Sequence, residues 1–182
     1  MKLEKNYYYH LYNRTNNKEI AFLNNDQYIF FLKKYRKYCF EFVDTLAYCI
    51  MPTHFHMLVY IKDNYNIQLN KNIGIWLSSY TKAINKKNNR HGSLFQQHTK
   101  AKHIDNENYL LTAMTYIHQN PLRQKLINKL DDWPYSSYPD LINKRTGTLP
   151  KKEFVLALFN TLEEFEDFSK IMIERIDPKY WV

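Results

Sequence analysis

The sequence predicts an α+β fold, a central and mostly antiparallel sheet with helices packed against it. Three observations carry that prediction. Strand-like and helix-like stretches alternate along 182 residues, a length suited to one globular domain. Two apolar, aromatic stretches, residues 43–51 and 54–62, flank a Met-Pro-Thr turn and read as adjacent strands. Only 3 glycines are present, too few for the turns of a parallel nucleotide-binding sheet, which excludes Rossmann and P-loop functions.

The elements follow in chain order. Residues 6–14 are tyrosine-rich and read as a strand. Residues 26–40 put Tyr28, Leu32, Tyr35 and Cys39 on one helical stripe, with Lys33, Lys34, Arg36 and Lys37 mostly elsewhere. After the paired strands, residues 67–87 space Leu69, Ile73, Trp76, Tyr80 and Ile84 as a helix that residues 88–92 end. Residues 94–102 can hold a short strand. Asp105 is the expected N-cap of a helix through about His118, stopped by Asn120-Pro121. Residues 151–176 read as two short helices before an extended tail. The expected organisation is one domain at 1–145 and a small helical C-terminal extension at 146–182.

Composition narrows the function classes. With 45% hydrophobic and 16% aromatic residues, disorder is excluded. No apolar run approaches the roughly 18 residues of a membrane span, so no membrane partner is expected. Residues 1–9 lack the apolar core of a signal peptide. Cys39 and Cys49 make neither a disulfide framework nor a CxxC site, which points to a reducing cytoplasm. Lys plus Arg number 26 against 18 Asp plus Glu, a net charge of +8. The excess is local: residues 64–104 contain no acid but hold Lys71, Lys82, Lys86, Lys87, Arg90, Lys100 and Lys102. Such a segment suits a polyanion, through release of condensed counterions, although a solvated lysine-rich face has the same composition.

Two small constellations carry chemistry. In a strand, His54 and His56 of His-Phe-His point the same way, roughly 6.7 Å apart, so both imidazoles can converge on one cation while Phe55 goes to the opposite face. Two hydrogen-bonded histidines on an amphipathic strand are the alternative. Among 16 tyrosines, only Tyr9, Tyr12, Tyr60 and Tyr116 have an amide, acid or imidazole four residues on. Of these, Tyr116 alone lies in a helical pattern, so Tyr116 and Asn120 share a helix face about 6 Å apart. A phenol and an amide oxygen together offer a nucleophile and a third hard ligand. The alternative is a core tyrosine and a helix-ending Asn.

Taken together, these stretches resemble a known family. Met51-Pro-Thr-His-Phe-His-Met-Leu-Val looks like the HUH signature (His, bulky apolar, His) of single-tyrosine DNA transposases. Thr115-Tyr-Ile-His-Gln-Asn-Pro-Leu-Arg is similar to the tyrosine helix of the REP-associated tyrosine transposases. Tyr12-Asn-Arg, Arg90-His-Gly-Ser-Leu-Phe-Gln and Asp132-Trp-Pro-Tyr-Ser-Ser-Tyr match in the same order, so the resemblance covers roughly residues 5–140.

The resemblance implies a ferredoxin-like antiparallel sheet flanked by helices, in a bacterial, nucleoid-associated protein. His54, His56 and Asn120 would ligate Mg²⁺ or Mn²⁺, with Asn120 departing from the Gln that relatives often carry. Tyr116 would attack a scissile phosphate of single-stranded or hairpin DNA, leaving a 5′-phosphotyrosine link and a free 3′-OH. Arg14, Lys82, Lys86, Lys87, Arg90, Lys100 and Lys102 would contact DNA phosphates. The working unit would be a monomer or a homodimer. Two other readings stay open: a catalytically silent nucleic-acid-binding module on the same fold, and a phosphodiesterase that uses water.

Overall fold

Both faces of the sheet carry buried side chains, so each must be covered by helices. In a computed structural model, which describes residues 2–64 and 67–173, four strands form one sheet: β1 (Tyr8–Arg14), β2 (Val43–Met51), β3 (His54–Ile61) and β4 (Lys100–Ile104). Their order is β2-β3-β1-β4, and every neighbouring pair is antiparallel. Helices α1 (Asn25–Cys39) and α2 (Gln68–Asn88) supply the two crossovers, the ferredoxin-like arrangement. On the opposite face lies α3 (Glu107–Arg123), followed by the short helices α4 (Tyr138–Leu141), α5 (Lys152–Leu156) and α6 (Leu162–Lys170). Among the described residues, no helix is long and apolar enough to cross a membrane.

Strand alternation sends side chains to two cores. Leu11, Phe55, Met57, Val59 and Ile61 pack with Phe31, Tyr35, Trp76 and Tyr80 under α1 and α2. Leu58, Cys49, Met51 and Ile104 pack with Leu110, Ala113, Met114 and Ile117 under α3. A register shift between Thr45 and Ala47 in β2 lets consecutive Leu46 and Ala47 both join the α3 core. Full burial of each large apolar side chain contributes about 1.5–3 kcal/mol, so neither face could be left bare. Val155 and Phe165, from the C-terminal helices, are fully buried in the α3 core.

Some local expectations change. Helix α1 starts one residue early because Asn24 caps it, accepting from the Gln27 amide at 3.2 Å; Phe31 rather than Leu32 joins the buried stripe. Asn106, not Asp105, caps α3, its side chain accepting from the Tyr109 amide at 2.8 Å. Residues 94–99 are not strand; Phe95 makes a single bridge to Thr15, and regular pairing begins at Lys100. Helix α3 does not stop at Pro121 but runs through it to Arg123. A proline this near a C-terminus costs one intrahelical bond. Ties on either side offset that loss: Gln119 donates to the carbonyls of Ser169 (2.9 Å) and Ile171 (2.8 Å), and Arg123 donates to that of Ile173 (2.6 Å). The extended tail expected at the C-terminus lies outside the described residues.

The stretch after α3 seals the outer edge of β2. The Tyr135 ring stacks on Tyr28 at 3.5 Å between centroids, and the Tyr135 carbonyl accepts from the Ile50 amide. The Ser137 hydroxyl accepts from the Tyr48 amide at 2.9 Å and meets His118 Nε2 at 2.8 Å. His118 is fully enclosed, and burial pushes its pKa down to about 3. A folded pKa below the unfolded value of about 6.5 means that the unfolded chain binds the extra proton. Its contribution is therefore complete above pH 6.5 and is lost as pH falls from 6.5 toward 3. Urea unfolding of wild type and His118→Gln at pH 7 and pH 5 should show the wild-type advantage shrinking by about 2 kcal/mol at the lower pH. A constant difference would mean that this ring does not titrate on unfolding.

Candidate active site

Because β3 alternates, Phe55 enters the α1/α2 core while His54 and His56 face α3. The turn of α3 that holds Tyr116 and Asn120 lies above them. The His56 and Tyr116 rings meet edge-on with centroids 5.8 Å apart. All four side chains line one cleft of about 610 Å³, together with Tyr12, Arg14, Lys18, Thr53, Gln96, His98, Lys100 and Gln124. The two halves of the predicted constellation are thus brought together within one chain.

Each donor is held by a specific contact. The Thr53 hydroxyl engages His54 Nδ1 at 3.2 Å, and His10 Nε2 engages His56 Nδ1 at 2.9 Å. The Nε2 atoms are the nitrogens left over, and that of His56 is buried without a hydrogen-bond partner. Asn120 donates its amide N–H to the Tyr116 carbonyl at 2.9 Å, and its side chain also interacts with His54, His56 and the Tyr116 phenol. Among the described residues, no group of three or more His, Cys, Asp or Glu side chains is spaced to hold a metal.

Burial lowers the pKa of His54, and lowers that of His56 well below the ordinary histidine value with help from the neighbouring His10 and His54, while the Asn120 side chain opposes the shift at both rings. Both rings are therefore neutral near pH 7, the state in which imidazole offers a lone pair. Tyr116 is half-buried. Its enclosure raises the phenol pKa above 10, partly countered by Arg123, whose guanidinium lies 5.7 Å from the ring centroid, and by Asn120. Among the described residues, no acidic side chain lines the cleft, whereas Arg14, Lys18 and Lys100 do, so the lining favours an anion.

The predicted basic residues separate in space. Arg14 and Lys100 line the cleft, and Lys102 lies on the same strand as Lys100, opposite His10. Lys82 lines a groove that adjoins the cleft through Gln96 and His98. Lys86 and Lys87 are exposed in the last turn of α2, and Lys87 borders a separate groove with Asp26 and Lys33. Arg90 is committed elsewhere: it forks onto Glu19 at 2.7 and 2.8 Å and reaches the Asn85 oxygen at 2.5 Å. A phosphate would have to compete with that pair.

His10, Lys18 and Gln124 belong to the site, although sequence reasoning passed over them, and so does Tyr12, which the sequence offered without a role in it. Tyr12 is half-buried opposite His56, and its pKa is raised by burial and by nearby Tyr116. The period of two along β1 was the available signal, since it puts His10, Tyr12 and Arg14 on one face.

No family model matches the chain. A Haemophilus influenzae protein bearing the provisional name REP-associated tyrosine transposase is 26% identical over 121 residues, 59% of this chain and 66% of that protein, so the match spans just under two thirds of its length. The solved structure of a REP-associated tyrosine transposase bound to a REP hairpin superimposes with a TM-score of 0.64 at 15% identity, covering 79% of this chain and 84% of that one. That likeness establishes the fold. A Deinococcus radiodurans protein described as a transposase overlays at a TM-score of only 0.45 and 18% identity, covering 70% of this chain and 96% of that one, and supports no conclusion. The resemblance first seen in the two motifs is borne out by the first two comparisons.

Proposed function

We propose that the chain is a tyrosine transposase of the REP-associated kind, a single-strand DNA endonuclease and strand transferase acting on hairpin-bearing DNA. The observation that carries this reading is the meeting of His54, His56, Asn120 and Tyr116 in one positively lined cleft. Similarity to a transposase in sequence, and to a hairpin-bound transposase in fold, supports it.

The donors fit a divalent cation. His56 Nε2 is a buried, neutral and unpartnered nitrogen, and Asn120 adds a hard amide oxygen. Two nitrogens with one oxygen suit Mn²⁺ better than Mg²⁺, which favours oxygen ligands. Bound by these three residues, such an ion would supply Lewis-acid relief of phosphate charge.

The protein's own groups do the rest. Arg14, Lys18 and Lys100 would hold the DNA backbone by charge. Tyr116 Oη attacks the scissile phosphorus, forming a P–O bond to tyrosine as the bond to the 3′ oxygen breaks. The phenolic proton leaves as the 3′ oxygen gains one, so a 3′-OH and a 5′-phosphotyrosine result. Because the link conserves the ester energy, a 3′-OH can reverse the step and rejoin strands. Burial opposes ionisation of the phenol, and Arg123 and Asn120 partly restore it. All the proposed catalytic groups come from one chain, which supports a monomer as the cleaving unit.

Incubation of labelled hairpin DNA with the protein and Mn²⁺, followed by denaturing electrophoresis, tests the proposal. A covalent adduct supports it. Cleavage without an adduct would favour attack by water, and binding alone a silent module. Arg14→Ala combined with Lys100→Ala should flatten the dependence of log K on log salt by about 1.4, two single-strand phosphate contacts. Lys86→Ala with Lys87→Ala should flatten it less, because these residues lie outside the cleft. The reverse ranking, read by fluorescence anisotropy across a salt series, would place the strand along α2 instead.

A further inference from the structure

We propose that His10 is a positioning residue: by accepting the Nδ1–H of His56, it holds that ring in the one tautomer whose Nε2 lone pair faces the cleft. This inference rests on the reading of the cleft as a metal centre.

The geometry restricts the choices. Tyr12 pairs with His56 across β1 and β3, and His10 pairs with Leu58, so His10 is the diagonal neighbour of His56 on the same face. Both rings are 2% exposed, with centroids 5.0 Å apart. The 2.9 Å separation of His10 Nε2 and His56 Nδ1 requires one proton between them, because two neutral imidazoles there bond only as one donor and one acceptor. If His10 donated, the remaining proton of His56 would sit on Nε2, a buried atom with no partner in hydrogen-bonding geometry, although the Asn120 amide lies close enough to act on the ring. That arrangement leaves an unsatisfied donor and blocks a ligand position. If His56 donates, Nε2 presents a lone pair where the cleft needs one.

His54 lacks an equivalent constraint. Its Nδ1 meets the Thr53 hydroxyl, which can rotate to donate or accept, and the ring is half-buried at the mouth of the cleft. With its own proton on Nδ1, His10 Nε2 can only accept, and it then sets the tautomer of the deeper imidazole. An outer partner that fixes a ligand's tautomer typically changes metal affinity by about 10–100-fold.

The test uses the full chain and Mn²⁺ alone, without DNA. Isothermal titration of Mn²⁺ should show one site in wild type, affinity lowered about 10–100-fold in His10→Leu, and near-normal affinity in His10→Gln, whose amide oxygen can accept the same proton. Nitrogen-15 spectra of the metal-free wild type should show His56 protonated on Nδ1. If His10→Leu does not fold, His10→Gln and the wild-type spectrum decide the matter. A wild-type ring protonated on Nε2, or equal affinities in folded wild type and His10→Leu, overturns the role of His10 and leaves the proposed function standing. Absence of Mn²⁺ binding by wild type overturns the metal reading and the role of His10 together.

Discussion

Tyr116→Phe is expected to abolish the covalent protein–DNA adduct while leaving hairpin binding nearly intact. Phenylalanine keeps the ring that packs edge-on against His56 at 5.8 Å and under Arg123 at 5.7 Å, so the cleft and its supports survive. Only Oη is lost. Deletion of a covalent nucleophile costs about 10⁴-fold or more in turnover, far beyond any effect on binding. Denaturing gels should show the slow-migrating band disappear, and anisotropy titration should give an almost unchanged affinity. If the adduct persists, another tyrosine is the nucleophile. Tyr12 would be the first suspect, as it lines the same cleft and its charge state is coupled to that of Tyr116. Tyr12→Phe is thus the paired control, expected to retain the adduct.

The second large effect is expected at His54. His54→Ala removes one imidazole from the half-buried mouth of the cleft, with little loss of core packing, because Phe55 rather than His54 faces the α1/α2 core. Mn²⁺-supported cleavage should fall by at least about 100-fold, since removing a ligand exceeds the 10–100-fold effect of disturbing its outer partner. The thermal midpoint in chelator should stay close to that of wild type. Unchanged cleavage would remove the metal from the mechanism. A collapse of the midpoint would mean that His54 is structural.

Much of the site was legible in the sequence for reasons of period. Alternation in β3 separates His54 and His56 from Phe55, and the 3.6-residue repeat of α3 puts Asn120 one turn beyond Tyr116. Neither pattern depends on what lies across the fold. The overlooked features are long-range. His10 became part of the site through the register of β1 against β3, which links positions 46 residues apart. Arg90 read as a free cation because nothing local reveals Glu19, 71 residues away. The stop assigned to Pro121 failed because Gln119 and Arg123 are anchored by residues 169–173, contacts invisible to a helix-breaking rule.

The sequence by itself determined the α+β class, the two short motifs that meet in the candidate site and the excess of positive charge, because period and composition are local properties. The tertiary structure alone decided that the tyrosine helix covers the histidine face, which cations line the cleft and which nitrogen of His56 is engaged. Those outcomes depend on strand register and on burial. Both arise only when distant segments exclude water together, and neither leaves a mark in any short window of the chain.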